Sequence, residues 1–297
     1  MRIPKIIAGL ALLILIAVVI RELWTDSDNA GKVKSDLMYD YASASEWLSG
    51  GNPYDPSRHL MEKHISARIQ FDLDRRVVAN PHTPFQIVML APLSLLGWVT
   101  AKNIWMMIDV VLLMLSVLMV CRELQFRMST TGLVTLGSAV IPLANLEFFH
   151  GQISTLLLLL FVSGWIARRR GNDALCGIAL GIAAALKLYP ALMIIPLLRS
   201  RARRAASWLL GTLALMLVSS AFLIGSGTAI QFLDASRRNL LIWADAPANV
   251  SVASLPYRLL DSAFGFELHA SIGTWITVAV GIRFTFRTFF DATGLAL

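Results

Sequence analysis

Two aspartates, Asp36 and Asp40, stand four residues apart in Ser35-Asp36-Leu37-Met38-Tyr39-Asp40-Tyr41, downstream of a long apolar run. On a helix that spacing places both carboxylates on one face. A carboxylate so placed can serve as a general base toward a hydroxyl arriving from water. Asp36, beside Ser35, can equally be the N-cap of a helix that starts at Leu37, and local chemistry by itself favours the cap. His150-Gly151-Gln152 falls in a turn between two apolar segments. Its glycine permits a tight backbone, and His and Gln can bond a polar ligand or cap a helix end. Lys187 lies at a break between apolar runs, ahead of Tyr189 and Pro190. A lysine there can hold a phosphate as a point charge or snorkel to an interface, and the adjacent proline favours a shaped site to which Tyr189 also belongs.

Weaker candidates follow. Arg237 and Arg238, with Arg58 and His59, could neutralise a phosphate leaving group, and Asn249 lies in the same later polar stretch. Asp109 is ionisable within an apolar segment, where such residues usually face a bundle interior. Phosphate-cradling P-loops, HExxH zinc motifs and nucleophile elbows are missing from the sequence. Cys121 and Cys176 sit at the ends of apolar stretches without the company a metal site needs, and we expect no disulfide.

The elements that must position these residues are membrane helices. The chain has 297 residues, 56% of them hydrophobic and 15% charged, and its mean hydropathy is +0.65. That is too apolar for a soluble domain. The net charge is +7, but it comes in short bursts between apolar segments rather than as a basic stripe with aromatics. We therefore expect a lipid bilayer as partner and no nucleic acid.

The bursts (Arg2 and Lys5; Arg122 and Arg127; Arg168 to Arg170; Arg199, Arg201, Arg203 and Arg204) belong on the cytoplasmic side. An even number of crossings must then separate neighbouring bursts. Residues 5–24 go outward as an uncleaved first span, with no small-x-small cleavage site after it. Residues 101–121 return. Residues 83–99, carrying Pro84 and Pro92, suit a pair of interfacial or re-entrant helices. A hairpin follows, with 130–145 outward and 153–167 inward. Two short helices, 173–186 and 188–198, break around Lys187-Leu188-Tyr189-Pro190. Residues 205–225 go out, 226–270 form a second polar outer loop, and 271–290 return weakly. The expectation is an all-α polytopic bundle of about eight spans or half-spans. It is a single integral domain made of a first span (1–24), an outer loop with interfacial helices (25–100), a bundle (101–225), an outer loop (226–270) and a weakly patterned last segment (271–297). In this topology Asp36, the His150 turn, Lys187 and Asn249 all fall on one outer face.

The ordered set of motifs resembles glycosyltransferase family 87. It comprises the opening from Asp36 to Tyr41, then Leu48-Ser49-Gly50-Gly51-Asn52-Pro53-Tyr54, Asn80-Pro81-His82-Thr83-Pro84-Phe85, His150-Gly151-Gln152, and the run from Gly177 to Lys187-Leu188-Tyr189-Pro190. The resemblance runs from Ser35 to Arg204. It implies a GT-C fold and an inverting hexosyltransferase with little or no metal dependence and no cofactor. The donor would be a polyprenyl-phosphate sugar, mannose by default, and the acceptor a glycan or glycolipid outside the cell membrane. The catalytic carboxylate of the family maps to Asp36, which reverses the preference for a cap; Asp40 is second. A Tyr-Pro-Pro element of the family stands here as Pro81-His82-Thr83-Pro84, which makes His82 a candidate polar contact in the site. The family generally continues through further spans beyond a length such as this. A flippase for a lipid-linked sugar and an inactive, shortened homologue are the alternatives. Internal repeats, which a transporter of that kind would carry, are not found.

Overall fold

A computed structural model describes residues 35–65, 79–127, 130–132, 134, 150–225 and 227–244. The expected first span, nearly all of the 130–145 span, Asn249 and the last segment lie outside the described residues. Among the described residues every regular element is helical.

Helix α1 (Leu37–Leu48) is followed by Gly50 and Gly51, which end it as the sequence requires. Helix α2 (Ser57–His64) packs on α1 through Leu60 and Met61, which join Met38, Tyr41 and Ala42 in one cluster. Residues 83–99 differ from expectation. They hold one short helix, α3 (Pro84–Ser94), and then the start of a long one, α4 (Trp98–Glu123). Pro84 occupies the first turn, where its missing N–H costs nothing, and Pro92 falls in the last turn, where it removes one backbone bond without ending the helix. The Thr83 side chain caps α3 by accepting from the Gln86 N–H.

Helices α5 (Ser154–Arg169) and α6 (Asp173–Leu186) match two of the expected helices, 153–167 and 173–186, and pack against each other, while the partner expected for the first of them, 130–145, lies almost wholly outside the described residues. The chain then makes a 3-10 turn (Tyr189–Met193) and a short helix α7 (Ile194–Arg199), where a single short helix was expected. Helix α8 (Arg203–Ile224) follows. The stretch expected as a second outer loop is also not all loop: it contains helix α9 (Thr228–Ala244), whose Phe232 and Ala235 bury against Ala44, Tyr54, Ala79 and Ile87.

Contacts fix the direction of each helix. Thr155, in the first turn of α5, meets Asp109 in the middle of α4, while Arg169 and Arg170 at the far end of α5 meet Glu123 at the end of α4, so these two helices run parallel. Helix α6 returns antiparallel to α5, with Gly164 against Leu180. Helix α8 runs alongside α6 in the same direction at very close range. A Cβ on Gly177 would lie 2.3 Å from the Ala205 carbonyl oxygen, and one on Gly181 would lie 2.6 Å from the Thr212 Cβ. This is the small-xxx-small packing that membrane helices use to bring backbones together.

The result is a bundle with two chemically different ends. Arg122, Arg168 to Arg170, Arg203 and Arg204 lie at one end; Asp36, His150, Gln152 and Lys187 lie at the other. Two helices, α4 and α8, are long and apolar enough to cross a membrane, and most of each apolar window is unburied (33% and 17% buried). Val111, Leu115 and Leu118 on α4 and Leu215, Val218 and Phe222 on α8 are exposed, a distribution that suits contact with lipid rather than water.

Candidate active site

The site end is assembled from three chain segments by one apolar cluster. Leu37, Ile153 and Leu186 pack together with Leu90, Trp105 and Ala183. Each immediately adjoins a polar candidate: Asp36, Gln152 and Lys187. Burying these apolar neighbours drives the convergence, and the polar residues are carried with them.

Asp36 stands at the N-cap position of α1, yet its side chain makes no capping hydrogen bond. The cap favoured by local sequence chemistry is therefore not formed by the carboxylate. Instead Gln152 Nε2 donates to Asp36 Oδ2 at 2.5 Å. The Asp36 N–H and the Ser35 hydroxyl both donate to the His150 carbonyl, at 2.7 and 2.9 Å. His150 thus contributes its main chain to the site. Gly151 makes the turn possible: its φ is +61°, and a Cβ there would come within 3.1 Å of the Leu37 Cβ and 3.2 Å of the Ser35 Oγ. Asp36 remains partly exposed. Its charge adds to burial in pushing the Tyr39 hydroxyl pKa up to about 12, burial being the larger cause.

Asp40 is different. It is 2% exposed and accepts from three side chains: Asn80 Nδ2 at 3.1 Å, His82 Nδ1 at 2.8 Å and Gln86 Nε2 at 2.7 Å. Asn80 also donates to Ser43 Oγ and accepts from the His82 N–H. The Tyr54 hydroxyl donates to the His82 carbonyl at 2.8 Å, and burial, then the Asp40 charge, raises the Tyr54 pKa. Asp40 is thus the hub that folds residues 79–83 onto α1. Thr83 extends the same strut to α6, donating through Oγ1 to the Ala185 carbonyl at 2.6 Å and sharing the bond with that of Leu186. His82 and Lys187 each adjoin one side of this clamp in sequence.

Lys187 is half-buried with an extended backbone, and its ammonium has no partner among the described residues. Tyr189 is 57% exposed. Arg237 and Arg238 are carried by α9. They lie beside the packed stripe of α9 rather than on it; Arg237 is exposed, and Arg238 pairs with Asp234 one turn back. Asp109, whose partner the sequence could not name, is fully buried and accepts from Thr155 Oγ1 at 2.5 Å. Cys121 and Cys176 are buried free thiols. Among the described residues, no group of three or more His, Cys, Asp or Glu is placed to hold a metal ion.

Sequence reasoning missed Thr83, Gln86 and Asn239. Gln86 was detectable as a polar residue in the apolar run 84–93. Asn239, 6% exposed, donates to the Ala79 carbonyl at 3.0 Å and ties α9 to the same loop.

The family model for glycosyltransferase family 87 matches residues 81–295. The chain belongs to glycosyltransferase family 87. The activity this indicates is glycosyl transfer. The match begins next to His82 and takes in the His150 turn, Lys187, both arginines and Asn249, together with the weakly patterned stretch to residue 295. It leaves Asp36 and Asp40 outside, whereas the resemblance read from the motifs began at Ser35. None of the curated proteins and none of the solved structures matches the chain.

Proposed function

We propose that this family 87 protein transfers a hexose, mannose by default, from a polyprenyl-phosphate donor to a glycan or glycolipid acceptor outside the cell membrane. Asp36 is the general base. The observation that supports this most directly is the contrast between the two aspartates. Asp40 is closed in by three donors, while Asp36 keeps an accessible carboxylate that is oriented by Gln152 and not spent on capping.

In the reaction the acceptor hydroxyl oxygen attacks the anomeric carbon from the face opposite the phosphate, and its proton passes to the Asp36 carboxylate. The bond between the anomeric carbon and the phosphate oxygen breaks, and its electron pair leaves with the polyprenyl phosphate. Lys187, whose ammonium is otherwise unpartnered among the described residues, offsets the growing negative charge on that phosphate. Charge asymmetry supports the orientation: the basic end of the bundle belongs in the cytoplasm, which leaves the aspartate end on the outer face.

The test is sugar transfer from radiolabelled polyprenyl-phosphate mannose in membranes, comparing wild type with Asp36→Asn. Asparagine keeps the size of the side chain and removes the base. Transfer should fall by roughly 10²- to 10⁴-fold with expression unchanged. Equal transfer by both proteins would refute Asp36 as the base.

A further inference from the structure

We infer that His82 reads a hydroxyl of the donor's sugar through its Nε2 atom, with Asp40 acting as the positioning residue that fixes the ring's tautomer. The inference rests on the transfer reaction proposed above and adds a determinant of sugar specificity to it.

The proton positions around Asp40 follow from the network. The His82 backbone N–H can only donate, and it donates to Asn80 Oδ1 at 2.9 Å. That fixes the Asn80 amide, so the Nδ2 group facing Asp40 Oδ1 is a donor. Gln86 Nε2 donates to the other oxygen. Asp40 is thereby an acceptor on both oxygens, and the His82 nitrogen lying 2.8 Å away must carry a hydrogen. With Nδ1 protonated in the neutral ring, Nε2 is left with a bare lone pair. Among the described residues Nε2 has no hydrogen-bond partner, and the side chain is 15% exposed. Three buried residues therefore hold one acceptor atom in a fixed direction at the edge of the site.

Its neighbourhood suggests what it accepts from. Thr83, the next residue, is clamped to the carbonyls immediately before Lys187. Lys187 is the group assigned to the phosphate, and in the donor the sugar is joined directly to that phosphate. A hydroxyl is the donor group a hexose offers, and a fixed lone pair one residue from the clamp that ends at Lys187 suits it. Asp40, which orients the ring, lies one helical turn after Asp36 on α1.

The experiment compares kcat/KM for polyprenyl-phosphate mannose and its monodeoxy analogues in wild type and in His82→Asn. Asparagine keeps an N–H for Asp40 and lacks the Nε2 acceptor. The main-chain bonds of residue 82 to Asn80 and Tyr54 do not depend on its side chain and are kept in His82→Asn. Wild type should lose roughly two- to tenfold on one analogue, the range set by a single neutral hydrogen bond, and His82→Asn should lose nothing further on that analogue. Taking the ratio between the two proteins cancels any intrinsic change in reactivity caused by deoxygenation. His82→Gln, whose carboxamide reaches about as far as Nε2, should recover part of the discrimination. If every analogue is discriminated equally by wild type and His82→Asn, the inference is overturned while the transfer reaction stands. If wild type discriminates against no analogue, the same holds, and that result needs no variant to fold. Wild type that transfers no sugar overturns the transfer reading and this inference with it.

Discussion

Replacing Gly151 with alanine tests whether the His150 turn positions Asp36 or merely connects two helices. The variant has a ready comparison, because Gly171 also sits at positive φ (+73° against +61°) but has nothing within 4 Å of its Cβ position and lies at the basic end of the bundle. A residue with a Cβ costs about 1–2 kcal/mol in the left-handed region. Stiffening of the unfolded chain offsets roughly 0.4–1 kcal/mol of that. Both alanine variants should therefore lose about 1 kcal/mol of stability. Only at Gly151 does the new methyl also press on Leu37 Cβ at 3.1 Å and Ser35 Oγ at 3.2 Å, the two residues flanking Asp36. Those contacts must open by a few tenths of an ångström. Since a misplacement of order 1 Å costs roughly 10²-fold in rate, a shift of that size should cost about tenfold. The assay pairs sugar transfer per folded molecule with thermal unfolding of the detergent-solubilised protein. Gly151→Ala should lose activity beyond its loss of stability, and Gly171→Ala should not. Equal activity losses in the two variants, or full activity in Gly151→Ala, would refute the positioning role.

Gly177→Ala should destabilise the α6–α8 contact by about 1–3 kcal/mol in thermal unfolding, because its Cβ would meet backbone atoms that cannot swing aside. A second expectation concerns Glu46, whose carboxylate receives Lys63 at 2.8 Å and His64 at 2.6 Å. Lys63 first and His64 second hold its pKa below the ordinary glutamate value. A depressed folded-state pKa contributes stability that is present above the ordinary value and is lost as the pH falls through the lowered one. Melting temperature should decline through that acidic window in wild type and stay flatter in Glu46→Gln. Gly51→Ala should behave like Glu46→Gln in the same titration, since its Cβ would occupy the place of the Glu46 carboxylate.

Much of the fold was legible because its signals are local. Long apolar runs, basic residues at their ends and the breaks at Gly50-Gly51 and Lys187 to Pro190 gave α1, α4, α5, α6 and α8. Helix α9 was hidden because 228–244 mixes polar and apolar residues, and its stripe of Thr228, Phe232, Ala235 and Asn239 gains meaning only against the loop residues it covers. Pro92 was read as a break, although near a helix end it costs a single bond.

The candidate site divides along the same line. Sequence by itself determined the class of protein, the helical class of its fold and the residues able to do chemistry, because hydropathy, charge and turn chemistry act over a few neighbouring positions. Local chemistry could not rank Asp36 above Asp40, a ranking that came only from the family resemblance, since the two share a helix face and differ in what folds onto them from residues 80–86 and 150–152. Nor could it show that His150 contributes its carbonyl. Those distinctions come from hydrogen bonds spanning 40 to 116 positions of chain, and they exist only after burial of Leu37, Ile153 and Leu186 has brought the segments together.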